Sequence, residues 1–207
     1  MPMLDDLGVD VVEDDAAMRD ALLLLLTSTG IQARGFASAE EFLRLEDPAG
    51  CVCLLTDVRL PGMDGLSLHR RLLALGAEPA VVMITGHGDI AMAVAALKAG
   101  ALDFVEKPFD PAVLLDSVRA ALHQASDIRR RRAAAREAER RLRALTDREK
   151  EILELLVQGH ANKTVAAKLG ISIRTAEHHR ASIMEKTSAR SLSQLLKMAL
   201  RAMPETG

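Results

Sequence analysis

Along residues 9–123, short apolar runs alternate with segments whose apolar positions recur every three to four residues. Val9-Asp10-Val11-Val12-Glu13 is a brief β-branched run, and Asp15 to Ser28 follows with Ala17, Leu22, Leu25 and Leu26 at helical spacing. Gly30 closes that helix, and Ile31 to Phe36 reads as a second strand. Ser38-Ala39-Glu40-Glu41 has capping-box form and predicts a short helix through Leu45. Val52 to Thr56 is an unbroken apolar strand, Leu66 to Leu75 a helix ended by Gly76, and Ala80 to Thr85 another buried strand. A helix over Asp89 to Lys98 stops at Gly100, and Leu102 to Glu106 makes a fifth strand. Asp110, with Pro111 at the first helical position, opens the last helix of this part. Five strands alternating with five helices predict an α/β fold, a doubly wound five-stranded parallel sheet covered on both faces. Ligands of such sheets sit outside the carboxyl ends of the strands.

The pattern changes after residue 123. Gln124 to Leu145 favours helix but carries almost no large apolar residues, and it lacks a sustained heptad seam. It reads as an exposed helical linker, with the arginines between Arg129 and Arg141 as a solvated face. From Thr146 onward every segment is helical. Thr146-Asp147-Arg148-Glu149 is a second capping box leading into Ile152, Leu155 and Leu156, with Gly159 as terminator. Asn162 to Leu169 is a short helix broken at Gly170-Ile171, Ser172 caps a helix to about Thr187, and Ser191 caps a final one. Two helices joined at Leu169 to Ser172 have helix-turn-helix dimensions. The expected organisation is residues 1–123, a linker over 124–144, and an all-α four-helix domain over 145–207.

Charge sharpens that division. Residues 1–123 hold 9 Lys and Arg against 19 Asp and Glu, whereas residues 124–207 hold 18 against 10. An acidic half joined to a basic half points to two tasks, the basic one directed at nucleic acid. With no Trp or Tyr and only four Phe, aromatic platforms for single-stranded nucleic acid are not expected. Apolar runs such as Ala21 to Leu26 fall far short of the roughly 20 residues a membrane span needs. Met1 to Asp6 has no basic n-region, so the expectation is a cytoplasmic chain without a signal peptide or membrane partner. Cys51 and Cys53 alternate along a strand and would face opposite ways, which disfavours a bridge between them or a zinc site.

The strand ends carry the chemistry. Glu13-Asp14 follows the first strand, Asp57 the third, Thr85 the fourth and Lys107 the fifth. Clustered carboxylates repel and need a cation, and a small oxygen-bound ion such as Mg²⁺ suits this composition. A carboxylate facing a Lys and a Thr hydroxyl is arranged to attack phosphorus: the cations offset charge on the phosphoryl oxygens and the hydroxyl hydrogen-bonds one of them.

Asp57 in TDVRLPGMDG, Thr85 in ITGHGD and FVEKPF at Phe104 to Phe109, together with Glu13-Asp14, resemble the flavodoxin-like receiver domain of bacterial response regulators. The resemblance implies that Asp57 accepts a phosphoryl group from a sensor histidine kinase. It implies that Asp14 and Asp57 ligate Mg²⁺, with Glu13 acting through water and the Arg59 carbonyl as a further ligand. Thr85 and Lys107 would bind the phosphoryl oxygens, the Lys107–Pro108 peptide would be cis, and Phe104 would be the aromatic switch that turns inward as Thr85 moves. Glu13 departs from the commoner Asp at its position.

Leu145 to Ala199 resembles the LuxR-type helix-turn-helix of NarL- and FixJ-type regulators, carried by LTDREKEILELLVQG, NKTVAAKLGIS, RTAEHHRASIMEK and SLSQLLKMAL. With ASAEEFL and MITGHGD added, the whole chain is most similar to FixJ-type transcriptional regulators. Arg174 to Lys186 would then be the recognition helix in the major groove of promoter DNA. Thr175, Arg180 and Lys186 would contact phosphates, and Glu177, His178, Ala181 and Ser182 would face base edges. His178 stands where an aliphatic residue is more usual. Adjacent helix positions such as His178 and His179 point about 100° apart and do not suit one metal.

The expected mechanism is phosphorylation-promoted homodimerisation through Asp89 to Gly100 and the fifth strand, where Ile90, Met92, Val94 and Leu97 exceed what one buried face needs. RNA polymerase would be a further partner. Two other readings compete: a phosphatase with Asp57 as nucleophile, which Arg59 in place of a general-acid Asp argues against, and a regulator that binds DNA without phosphorylation.

Overall fold

The structure, a computed structural model, describes residues 7–86 and 90–202, the side chains of Ile90 and Ala93 excepted. Packing divides the chain after Ile128 into two units.

In the first unit the elements run β1 (Val9–Val12), α1 (Ala16–Ser28), β2 (Ala33–Phe36), α2 (Ala39–Leu43), β3 (Cys53–Asp57), α3 (Gly65–Ala74), β4 (Ala80–Thr85), α4 (Ile90–Lys98) and β5 (Asp103–Glu106). The sheet order is β2-β1-β3-β4-β5 and every pairing is parallel, with Val12 beside Thr56 and Thr85 beside Glu106 in register. Alternate residues feed two cores. Val9, Val11, Cys53, Leu55 and Val82 pack on one face with Leu22 and Leu26 of α1, while Val12, Leu54, Val81 and Met83 pack on the other with Phe42, Leu68 and Leu72. Cys53 and Cys51 lie in opposite cores, both as free thiols.

Element bounds depart from the sequence pattern at a few ends. Ile31, expected in β2, instead donates its N–H to the Leu26 carbonyl at 3.0 Å, because the exit turn of α1 claims its backbone. Arg44 and Leu45 likewise close the end of α2 onto Glu41 and Phe42, each at 3.1 Å, and a 3₁₀ turn at Pro48–Gly50 lies outside the predicted elements. Asp89 lies outside the described residues.

The main correction concerns the linker. Helix α5 (Pro111–Leu142) runs unbroken for 32 residues, opened by Pro111 and by the Asp110 side chain, which accepts from Ala112 N–H at 2.8 Å. The segment from residue 124 is helical as expected and continues the helix before it, but it is not wholly exposed. Ala125 is buried in the first unit, and Ala138 is 3% exposed. Small alanines bury at close helix contacts without the large apolar side chains that mark a face in sequence.

The second unit adds α6 (Asp147–Val157), α7 (Asn162–Leu169), α8 (Ile173–Thr187) and α9 (Leu192–Ala202) around Leu145, Ile152, Leu156, Val165, Ala176, Ile183 and Leu195. The Thr146–Glu149 capping box opens α6, and Ser172 caps α8 through Thr175 N–H. Gly170 ends α7 at φ +63°, a left-handed conformation that allows the tight turn into α8.

Candidate functional site

The order of strands reverses between β1 and β3, so the crevice at the carboxyl end of the sheet opens where Glu13 and Asp57 emerge. Both are buried, at 1% and 7% exposure. Lys107 reaches them from beyond β5: its Nζ lies 2.5 Å from Asp57 Oδ2 and 2.8 Å from Glu13 Oε2. Lys107 N–H donates to the Thr85 carbonyl at 2.8 Å, which fixes the lysine beside the end of β4. The Lys107–Pro108 peptide is cis. The second oxygen of Asp57, Oδ1, accepts from Arg59 N–H at 2.7 Å, so the chain folds over its own carboxylate as it leaves β3.

The electrostatics follow from burial. Desolvation raises the Glu13 carboxyl above its ordinary value, although Lys107 works against it. Burial alone would depress Lys107, but hydrogen bonds to Asp57 and then Glu13 outweigh it and the ammonium is held more strongly than usual. One ammonium shared by two buried carboxylates leaves the crevice net negative. Asp14 adds an exposed carboxylate at the same strand end.

That donor set is all oxygen and undercompensated, which fits a hard divalent cation. Among the described residues no three acidic, His or Cys side chains converge closely enough to enclose a metal by themselves. The fit is therefore to an ion that keeps much of its water, as Mg²⁺ does.

Three supports of this site are not evident from the apolar pattern or the strand ends. Arg19 of α1 donates to the Glu13 carbonyl at 2.7 Å, tying down the loop that carries the acids. Glu40 of α2 accepts from Met63 N–H at 2.9 Å across the loop after Asp57, and a bond to its own N–H, with this one, holds its carboxyl below the ordinary value. Gly65 at the start of α3 donates to the Val58 carbonyl at 3.1 Å. A β-carbon there would run into the Asp57 carbonyl oxygen. Only the spacing of Gly65 from Asp57 hints at this; the Arg19 and Glu40 bonds have no local signal.

Thr85 is 2% exposed at the end of β4, and Phe104 on the edge strand β5 is 38% exposed. On α4, Val94 and Leu97 are 44% and 43% exposed, whereas Met92 packs into the core. Met92 is half-buried there, so only part of it contributes to the apolar surface that the sequence assigned to it.

In the second unit α8 exposes Arg174, Thr175, Glu177, His178 and Ala181, with Arg180 half-buried. Two other side chains expected to face DNA also bond to a buried acid, Ser182 being half-buried and Lys186 exposed. Ser182 Oγ donates to Glu149 Oε1 at 2.7 Å, and Lys186 Nζ pairs with Glu149 Oε2 at 2.7 Å. Glu149 is 3% exposed, and a buried carboxylate draws in whatever donors reach it. Burial would raise its carboxyl, but Lys186, the Thr146 backbone and Ser182 together bring it down to about 2. Sequence periodicity places Ser182 and Lys186 on α8 but cannot show a buried acid beneath them.

Residues 9–119 match the response regulator receiver domain, and residues 143–199 match the luxR family of bacterial regulatory proteins. The transcriptional regulatory protein FixJ of Azorhizobium caulinodans is 46% identical over 200 residues, 97% of this chain and 95% of that protein. The chain belongs to the FixJ-type response regulators. The response regulator protein TodT of Pseudomonas putida is 39% identical, over 92% of this chain and 84% of TodT. Among solved structures, the response regulator StyR aligns with a TM-score of 0.80 at 39% identity, covering 94% of this chain and 98% of that one. Full-length FixJ from B. japonicum aligns at 0.57 and 40% identity, covering 94% and 96%. This response regulator therefore carries a receiver, whose counterpart is a sensor kinase, and a LuxR-type DNA-binding domain. Receivers generally bind Mg²⁺ at their phosphorylation site. Among the described residues no helix is long and apolar enough to cross a membrane.

Proposed function

We propose that Asp57 is the phosphoacceptor of this response regulator, and that its phosphorylation promotes dimerisation and promoter binding. The observation that carries the proposal is the Lys107 ammonium shared between Asp57 and Glu13 at the switch point of the sheet. An Asp57 carboxylate oxygen attacks phosphorus in a kinase phosphohistidine; the P–O bond forms, the P–N bond breaks, and imidazole departs with the bond's electron pair. Lys107 moves its charge onto the phosphoryl oxygens and relaxes its hold on Glu13. The Thr85 hydroxyl then hydrogen-bonds one of those oxygens. Asp14, Asp57 and the Arg59 carbonyl would hold Mg²⁺, with Glu13 acting through water. When bound, the ion would supply positive charge to the same oxygens.

Phe104 turns inward as Thr85 moves, and the exposed Val94 and Leu97 on α4 form part of the surface a second copy covers. Two copies then present two α8 helices to half-sites about one helical turn apart. Arg174, Thr175 and Arg180 serve as phosphate contacts, while Glu177, His178 and Ala181 face base edges. Ser182 and Lys186 support the helix through Glu149. A functional organisation of receiver 1–123, connecting helix 124–144 and DNA-binding domain 145–207 accompanies this scheme, with action in the cytoplasm and RNA polymerase as the downstream partner.

Intact mass and light scattering on wild type and Asp57→Asn, each with Mg²⁺ and a small phosphodonor, test the scheme. Wild type is expected to gain one phosphate and dimerise, and the variant to do neither. An adduct on Asp57→Asn, or an adduct in wild type without dimerisation, would overturn the acceptor or the dimer step respectively.

A further inference from the structure

The arginines of α5 fall into two groups. Towards the end of the helix each is matched: Arg140 and Arg141 share Glu137, and Arg143 pairs with Glu139 at 2.6 Å. One to three turns earlier the arginines are of two kinds, since Arg130 and Arg132 have interaction partners and three others have none among the described residues. Arg129, Arg131 and Arg136 are exposed and form no ion pair among the described residues, and the same holds for Arg201 near the end of α9. Two adjoining clefts lie between these helices. One, of about 710 Å³, is lined by Arg130, Arg131, Arg132 and Arg201 over a floor of Ala134 and Ala135. The other, of about 300 Å³, continues past Arg132, Arg136 and Arg201. Glu139 also borders the second cleft, but its carboxylate is taken by Arg143.

We propose that this arginine trough binds the phosphate backbone of duplex DNA flanking the sequence read by α8, an inference that rests on the DNA-binding reading. The unmatched charges of Arg131, Arg136 and Arg201 repel one another until a polyanion neutralises them, and the guanidinium fork matches phosphate bidentately. Arg129 to Arg136 spans about 10 Å of helix, comparable to about three successive phosphates of one strand. An acidic protein partner fits less well, because the floor is only alanine methyl groups, with no aromatic or large aliphatic side chain to grip an anchoring residue. The trough belongs to the same packed unit as α8. With no group suited to base edges, it would add affinity and register but no sequence preference.

The test compares full-length wild type with Arg131→Gln/Arg136→Gln/Arg201→Gln, measuring fluorescence anisotropy on a labelled random-sequence duplex over a sodium chloride series. The slope of log affinity against log salt is expected to become shallower by about 2 to 3 in the variant, close to 0.9 for each phosphate no longer neutralised. The same three positions changed to Lys should keep the wild-type slope, which separates missing charge from misfolding. Arg140→Gln/Arg143→Gln, where the arginines are already paired, should leave it nearly unchanged. An unaltered slope in the triple Gln variant overturns the inference while leaving DNA binding by α8 intact. So does a normal slope with reduced self-association, which would assign the trough to a second copy's acidic surface. Absence of any wild-type binding would overturn the DNA reading itself.

Discussion

Gly65 opens α3 directly against the backbone of Asp57, with no room for a β-carbon between them. The Asp57 carboxylate is thus seated by a helix start as well as by its own strand. Gly65→Ala must push α3 or the end of β3 aside, and overpacking of this kind costs about 1–3 kcal/mol. Urea unfolding should show that loss, and phosphate uptake at Asp57 should slow with it. Unchanged stability and uptake would mean that the backbone yields freely there.

Lys107→Ala removes the one ammonium between Glu13 and Asp57. Breaking a buried pair commonly costs about 3–5 kcal/mol, and the 26% exposure of the Lys107 side chain places this case at or below the lower end. Glu13→Gln in the same background should recover part of the loss by removing one of the two stranded charges. If the double variant is no more stable than Lys107→Ala, charge is not the cause. In wild type, Mg²⁺ should raise the unfolding midpoint and its removal by chelator should reverse this, whereas Asp14→Asn should blunt the response.

His69 on α3 is 1% exposed, and its Nδ1 has no hydrogen-bond partner among the described residues. Burial holds its pKa below the ordinary 6.5. The unfolded chain therefore takes up a proton that the folded one resists, so stability of the first unit should fall as pH drops below about 6.5. His69→Leu should flatten that decline. Amide hydrogen exchange, read separately in each unit, checks it.

Glu149 titrates in the opposite sense. Its folded pKa of about 2 lies below the ordinary 4.5, so its stabilising contribution is complete above 4.5 and is lost as pH falls towards 2. Exchange protection in the second unit should fade across that window, and Glu149→Gln should lose most of the dependence. Lys186→Ala should likewise weaken the unit's protection more than it changes the salt dependence of DNA binding. The reverse result would return Lys186 to the DNA surface.

Much of the fold is legible in sequence because parallel strands buried on both faces are unbroken apolar runs, and because Gly30, Gly76 and Gly100 mark helix ends. The helices of the second unit are equally readable from Thr146-Asp147-Arg148-Glu149 and Ser172. The helical character of the connecting segment is readable too, but the burial of Ala138 is not, because so small a residue gives no periodic signal. Asp57, Thr85 and Lys107 stand out because each follows its own strand, and strand ends of a parallel sheet share one rim. Ser182 and Lys186 fall on the right helix but take a different neighbour from the one expected, since their partner Glu149 lies more than thirty residues away.

Sequence alone determined the alternation of elements, the residue types at each strand end and the two-part division of charge, because these depend on local pattern and composition. Tertiary structure alone decided that Lys107 serves Asp57 and Glu13 together, that Gly65 seats Asp57, and that Glu149 bonds to Ser182 and Lys186. Each of those outcomes depends on which distant groups share a space closed to water, where an unpaired charge or an extra carbon is too costly to tolerate.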